Sequence, residues 1–510
     1  MFRNRNNRFM ALICALACLG IPYGIRAQTA APASSSVAKA RNLIERGKFQ
    51  EAETTLWYVL SASPSDEDAL LLLGNIRQKQ DRAAEAEALL RRVIEINPKS
   101  ALAEENLASL LADENKVEEA IQHYEQAARI SALSARHSVQ LARLYVGSGK
   151  FSQALGTLDS LPLTRVPPAA TPVRAAALLG LGRRKEATAL IADPKPSPEI
   201  AVQLAEVFLQ NKLPREALRC FASGSISGSQ TAHYDSVKGR VLQANGEAAA
   251  ALATVRQGLA KNPKSVELLL SLAELHAVAG RHAESVAALL RARAVDSKNP
   301  EILRHLIVEA LAARQDDLAL QSATDLAKHS SNLDDQYLAS AALVQEREFN
   351  LATQILEPYV QERPTDAMGH LALGLAYLGQ RRHSEGRAKL ERALQLNPNL
   401  AEAEYQLGEL ANKDGDSTEA TRHLEKAVQL QPGHAKAQLS LGTLYLQSGN
   451  LDQARVALEK AQLADSTDPG PEYQLSLLST RMSNPEAAQR HMQRFRELKE
   501  KRDRSLRGVK

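Results

Sequence analysis

Cysteine is nearly absent. Three occur in 510 residues, and two of them, Cys14 and Cys18, lie close to the N-terminus. If that segment is removed, Cys220 alone is left, and a lone thiol excludes an intramolecular disulfide. Its place on a helical pattern points to buried packing rather than reactivity. Aromatic residues make up 4% of the chain, with one tryptophan. That is too few for one large core and suits many thin layers of alanine and leucine. Signatures of catalysis are missing: there is no His-Glu-x-x-His, no Gly-x-Gly-x-x-Gly, no phosphate loop and no Gly-x-Ser-x-Gly.

Long apolar runs are missing too, save one. Met10–Ile21 follows Arg3, Arg5 and Arg8, and Ile25-Arg26-Ala27 before Gln28 offers a small-residue cleavage site. This predicts a secretory signal over residues 1–27 and a periplasmic or secreted protein. Two alternatives stay open. The run could be an uncleaved anchor, although it is short for a span. It could be a lipoprotein signal, since Cys18 follows Ala15-Leu16-Ala17, although the apolar run continues past that cysteine.

Charge excludes another class. The formal charge is +4, but residues 1–27 carry four basic and no acidic side chains, and residues 490–510 carry nine basic against three acidic ones. The body between them is therefore acidic, with no basic stripe to neutralise phosphate, so nucleic acid is not an expected partner. Association with a membrane is expected only through an uncleaved or lipidated N-terminus.

What is present is repetition. From Pro364 to Pro432 one unit occurs twice, each copy opening at a proline 34 residues before the next. In the first copy Leu373, Gly374 and Tyr377 share one helix face, and Gly386, Leu390 and Ala393 repeat that spacing on a second helix. Pro398 closes the unit. The small residue of the first helix can be followed along the chain: Ala40, Gly74, Ala108, Ala142, Ala175, Ala205, Gly239, Ala273, Ile307, Ala341, Gly374, Gly408, Gly442 and Ser476. The second helix gives its own ladder from Ala52 through Ala319 and Ala352 to Ala488. Paired helices approach to about 8–10 Å only across small side chains, which is why size is held at these positions.

A 34-residue period with Leu-Gly-x-x-Tyr, then a small, a large apolar and an alanine position, then proline, resembles the tetratricopeptide repeat. The resemblance implies an all-α, right-handed superhelical solenoid of about fourteen helix-turn-helix units. Along the chain this gives a signal at 1–27, a Pro/Ser/Ala linker at 28–36 and repeats one to four at 37–160. An irregular, proline-rich region with a short degenerate repeat follows at 161–198. Repeats six to fourteen span 199–495, and a basic helix end and tail span 496–510. The loop Ser223–Thr231 reads as local, and an elbow is expected near 160–200. Gly47, Asp81 and Asn115 sit at matching turns between paired helices.

The resemblance also implies a concave face lined by first helices. Three residues before, one after and four after each small residue fall in that groove. In the N-terminal half this selects polar residues: Asn75, Gln78, Glu105, Ser109, Arg143, Glu206, Arg240 and Gln243. In the C-terminal half it selects a stripe of Leu338, Ala342, Leu371, Leu375, Leu378, Tyr405, Leu439, Leu446, Tyr473 and Leu477. These positions, Ala342 aside, form the expected partner-binding groove, for a helix or an extended peptide. The stripe could instead be packing across the inner face of a tight superhelix. Family members that grip a C-terminal carboxylate use a set of lysines and asparagines that this chain lacks.

No catalytic, metal or cofactor residues are expected. The twelve histidines are scattered and read as exposed polar positions, and His276 and His282, the closest pair, are separated by Gly280. Asp316-Asp317 and Asp334-Asp335 fit helix starts, where carboxylates favour the dipole. No stretch outside the repeats is long enough for a catalytic domain. The expected function is a non-enzymatic scaffold for other proteins. A narrower form would serve polysaccharide export or outer-membrane assembly. The rival from another class is a glycosyltransferase-like or other enzyme with an unrecognised site.

Overall fold

The computed structural model describes residues 33–162, 166–192, 197–222 and 231–507. The expected signal at 1–27 lies outside these residues. Among them are 28 helices in fourteen antiparallel pairs, and no strand. They fall into two compact units that part between Ile226 and Ser227. The division lies inside the Ser223–Thr231 stretch that reads as a local loop in the sequence, and not in the proline-rich 161–198 region.

The first unit holds six helix pairs: α1 (Ala33–Glu45) with α2 (Phe49–Ala62), α3 (Glu67–Lys79) with α4 (Ala83–Ile96), α5 (Ala101–Asp113) with α6 (Val117–Ile130), α7 (Ala135–Gly147) with α8 (Phe151–Asp159), α9 (Ala170–Gly180) with α10 (Arg184–Ala189), and α11 (Pro198–Gln210) with α12 (Pro214–Ala222). Helix α1 starts at Ala33, so the last four residues of the expected 28–36 linker belong to it. The degenerate fifth repeat is the α9–α10 pair, with α10 only six residues long. Pro172 lies in the first turn of α9, where a missing N–H costs nothing.

The second unit holds eight pairs: α13 (Ala232–Ala244) with α14 (Ala248–Lys261), α15 (Val266–Val278) with α16 (His282–Val295), α17 (Pro300–Ala312) with α18 (Asp316–His329), α19 (Leu333–Gln345) with α20 (Phe349–Glu362), α21 (Ala367–Gly379) with α22 (His383–Leu396), α23 (Ala401–Lys413) with α24 (Ser417–Leu430), α25 (Ala435–Gln447) with α26 (Leu451–Ala464), and α27 (Gly470–Arg481) with α28 (Pro485–Arg507). Helix α28 is 23 residues long, so the basic end beyond 495 continues as helix to Arg507. Within each unit every pair packs on the next.

The small-residue ladder is the contact between paired helices. Ala86, Ala108, Ala120, Ala420 and Ala454 have no exposed surface. A Cβ placed on Gly408 would meet Leu424 Cγ at 2.8 Å and the Ala420 carbonyl at 3.3 Å, and one on Gly442 would meet Leu458 Cγ at 2.7 Å. The Leu90 side chain likewise faces Gly74, and Leu390 faces Gly374. The rule is a small residue on the first helix against a large one sixteen positions later on the second. Repeat nine reverses it: Ile307 takes the small position, and Ala323 stands in the place of the large residue, both with no exposed surface in one core cluster.

One rung is misplaced in the sequence ladder. In α19 the position held by Gly374 in α21 belongs to Ser340, which has no exposed surface, and not to Ala341. The connection between α18 and α19 is one residue shorter than the four-residue connection between α20 and α21. The shift moves the groove register of that repeat from Leu338 and Ala342 to Tyr337 and Ala341.

Every turn inside a pair is built alike. Seven glycines and seven other residues hold positive φ, one in each of the fourteen pairs; Gly47, Asp81 and Asn115 are among them. After α21, Arg381 N–H donates to Leu378 at 3.0 Å and Arg382 N–H to Tyr377 at 2.9 Å. That is the Schellman arrangement, which satisfies the last carbonyls of the first helix and aims the chain into the second.

Candidate functional site

The first helices of the second unit carry the residues expected to form the groove. They divide into three environments. Leu371 and Leu446 are buried, at 6% and 4% exposure. Leu371 shares a core cluster with Leu390, Leu407 and Leu410, and Leu446 shares one with Leu458, Leu475 and Leu478. They are packing residues and cannot present a solvent-facing stripe. Leu375 and Leu378 are half-buried against the Leu371 cluster, and Leu439 against the Leu446 cluster. Leu338, off register, is half-buried beside Tyr337, whose ring centroid lies 5.8 Å from that of Tyr359. Tyr473 and Leu477 alone are exposed, at 40% and 38%.

Tyr405 is half-buried, its ring 4.8 Å from the His434 imidazole and packed on the cluster of Leu424, Leu441 and Leu444. Burial pushes its phenol pKa up, and the charges of Glu409 and Glu402 add to that shift.

Two of the expected residues, Leu439 and Tyr473, meet in a cleft of about 430 Å³ in the second unit. It lies among α23, α25, α27 and α28. Glu409 and Asn412 line it from α23, Leu439 and Thr443 from α25, Asp468 and Tyr473 from the start of α27, and Phe495 and Arg502 from α28. Glu409 and Asn412 stand one and four residues after Gly408, at groove positions by register; the leucine stripe passes them over because they are polar. Phe495 and Arg502 come from the terminal helix, where no register argument applies.

The polar positions of the first unit are partly used up within the protein. Glu105 is buried and pairs with the His137 imidazole, and Gln78 donates to Asp113 at 3.2 Å.

The histidines depart from expectation. His276, His370 and His423 are buried rather than exposed. His276 Nδ1 and His370 Nδ1 have no hydrogen-bond partner, and burial lowers the pKa of both imidazoles. Three histidines clamp a first helix to a second by one geometry: His123 Nδ1 to Glu104 at 2.6 Å, His423 to Glu404 at 2.5 Å and His491 to Glu472 at 2.8 Å. The signal was in the sequence, as glutamate and histidine nineteen residues apart in the same register each time. Asp316 and Asp317 do sit in the first turn of α18, and Asp334 and Asp335 in that of α19. Cys220 is buried, and burial pushes its thiol pKa up to about 12. Among the described residues no three histidine, cysteine or acidic side chains gather as metal ligands, and no helix is long and apolar enough to cross a membrane.

A tetratricopeptide repeat profile matches residues 43–110, 111–177 and 411–478. A second profile of the same repeat matches 237–300, 337–401 and 371–420, and the two together span more than half of the chain. Among solved structures the chain is similar to one from the APC/C hetero-tetramer Cut9-Hcn1, with 14% identity over 96% of each chain and a TM-score of 0.44. It is similar to MamA, residue 41 to the end, from Desulfovibrio magneticus RS-1, with 22% identity over 33% of this chain and 96% of that one and a TM-score of 0.30. A chain of Naa15/Naa10 bound to HypK-THB is similar with 13% identity over 91% and 94% and a TM-score of 0.29. No curated protein matches.

Proposed function

Because the chain belongs to the tetratricopeptide repeat family, whose repeats mark a protein–protein interaction scaffold, we propose that it is a non-catalytic scaffold of the periplasm or cell exterior. It holds partner proteins by peptides or helices laid along its first helices. The observation that carries this reading is the cleft around Leu439 and Tyr473. The small residues and most of the leucines are consumed in packing, whereas this site leaves an aromatic ring, polar groups and open volume together on first-helix faces. Tyrosine suits such a place, with a large apolar body and one polar tip. The location rests on the basic start, short apolar run and small residue at Ala27.

The test is recovery of partners from envelope extract by the mature chain, compared with Tyr473→Ala and Leu477→Asp. Both side chains are exposed, so the variants should keep the wild-type helix content, with Tyr473→Ala melting somewhat lower because it loses its ring contact with Phe495. Loss of the same partners from both supports the site. Equal recovery by wild type and both variants refutes it. N-terminal sequencing from the native host should find Gln28 first; a start at Met1 or a lipidated Cys18 would refute the cleaved signal.

A further inference from the structure

The cleft among α23, α25, α27 and α28 is unbalanced in charge. Two carboxylates reach it, Glu409 and Asp468, against one guanidinium, Arg502. Arg502 Nη1 stands 3.8 Å from Asp468 Oδ1, and Asp468 also accepts from Gly470 N–H at 3.1 Å. Asp468 is thus compensated from within the protein. Glu409 is not: its Oε1 is closed off from water and has no hydrogen-bond donor. A carboxylate oxygen held in that state lowers stability, because its lost hydration is not replaced. A cation in the cleft would offset that penalty by attraction to the charge of the carboxylate, which lines the cleft. Apolar groups line the same cleft: the Tyr473 and Phe495 ring centroids lie 5.4 Å apart, inclined at 48°, with Leu439 beside them in the lining.

We propose that this cleft takes a lysine or arginine side chain of a partner peptide, its alkyl stem against Leu439 and Tyr473 and its charge on Glu409. The proposal rests on the scaffold reading and names the chemistry of its partner. An acidic side chain would meet an uncompensated carboxylate. A bare metal ion would find no group of three ligands among the described residues. A long basic side chain fits both halves of the site, since its stem packs on apolar surface while its head is charged.

The probe is a display library of random short peptides, selected on the immobilised full chain. Selected peptides should be rich in lysine or arginine, and a synthetic copy should bind the chain in solution by fluorescence anisotropy. Glu409→Gln should weaken that binding about tenfold or more, the factor of one charge-assisted hydrogen bond. The same variant should melt at or above the wild-type temperature, since it sheds an uncompensated charge. Norleucine in place of the peptide's basic residue should cost wild type the same factor and the variant nothing. Selected peptides rich in aspartate or glutamate, or binding indifferent to both Glu409→Gln and Tyr473→Ala, would overturn the assignment and leave the scaffold reading standing. A library that yields no binder would overturn the scaffold reading as well.

Discussion

Repeat nine offers a test of how the paired helices are spaced. In its neighbours a small residue on the first helix is matched sixteen positions later by a leucine on the second, Ala273 by Leu289 and Ser340 by Leu356, all of them buried. Here Ile307 and Ala323 divide the same volume the other way, with both side chains fully enclosed. Ile307→Ala alone leaves a cavity and should cost about 2–4 kcal/mol. Ala323→Leu alone overfills the contact and should cost about 1–3 kcal/mol. If the sites were independent, the double variant would lose roughly 3–7 kcal/mol, the simple sum of those ranges. If the two side chains compete for one space, the double variant restores the neighbours' arrangement and should lose under about 1.5 kcal/mol, as volume-conserving exchanges do. Arrays of repeats do not unfold as one unit, so a global melt is not enough. Amide hydrogen exchange over residues 300–329 reads the local opening free energy directly. Losses in the double variant equal to the sum of the singles would refute the size exchange, and with it the claim that the ladder sets helix spacing.

Two further outcomes follow from local chemistry. His276 and His370 are buried with lowered pKa, so the folded state holds them neutral while the unfolded chain takes up protons near its ordinary histidine pKa of 6.5; their contribution is full above that value and is lost as pH falls through it toward the lowered folded pKa. Melting curves of wild type and of His276→Gln/His370→Gln against pH should differ in slope below 6.5, and parallel curves would refute it. Arg381 holds φ of 63° and Gly415 holds 85° in equivalent turns. Arg381→Gly should therefore gain about 0.5–1 kcal/mol and Gly415→Ala should lose a similar amount in urea titrations; the same sign for both would refute the left-handed requirement.

The fold was legible because size at the helix contact is conserved by geometry, and geometry repeats. The hairpin turns were legible for the same reason where the left-handed residue is Gly47, Asp81 or Asn115. Where it is Arg314, Arg347 or Arg381, the turn tolerates a residue type that carries no turn signal. The slip in α19 has a local cause. Ala339, Ser340, Ala341 and Ala342 are consecutive small residues, so composition there cannot choose a rung. The second-helix ladder could: its 33-residue step from Ala319 to Ala352 confines the missing residue to the span between them, and the connection after His329 is where it is missing.

The site was less legible, and the reason is the tightness of the stack. First helices pack against one another as well as against their partners, so a leucine at a groove position can be wall or core. Leu371 and Leu446 prove to be core, Leu375 and Leu439 lie between, and Leu477 is free. The apolar letter cannot separate these cases, because burial of leucine is favourable in all of them. A polar letter at the same register can, since a charged side chain in an enclosed place must be compensated or be kept for something else. Glu105 is compensated by His137, and Glu404 by His423. Glu409, at the position directly after Gly408, has an enclosed oxygen with no donor. In a repeat array built from alanine and leucine, the informative positions for binding are thus the few groove residues that break the apolar pattern and find no partner inside the protein.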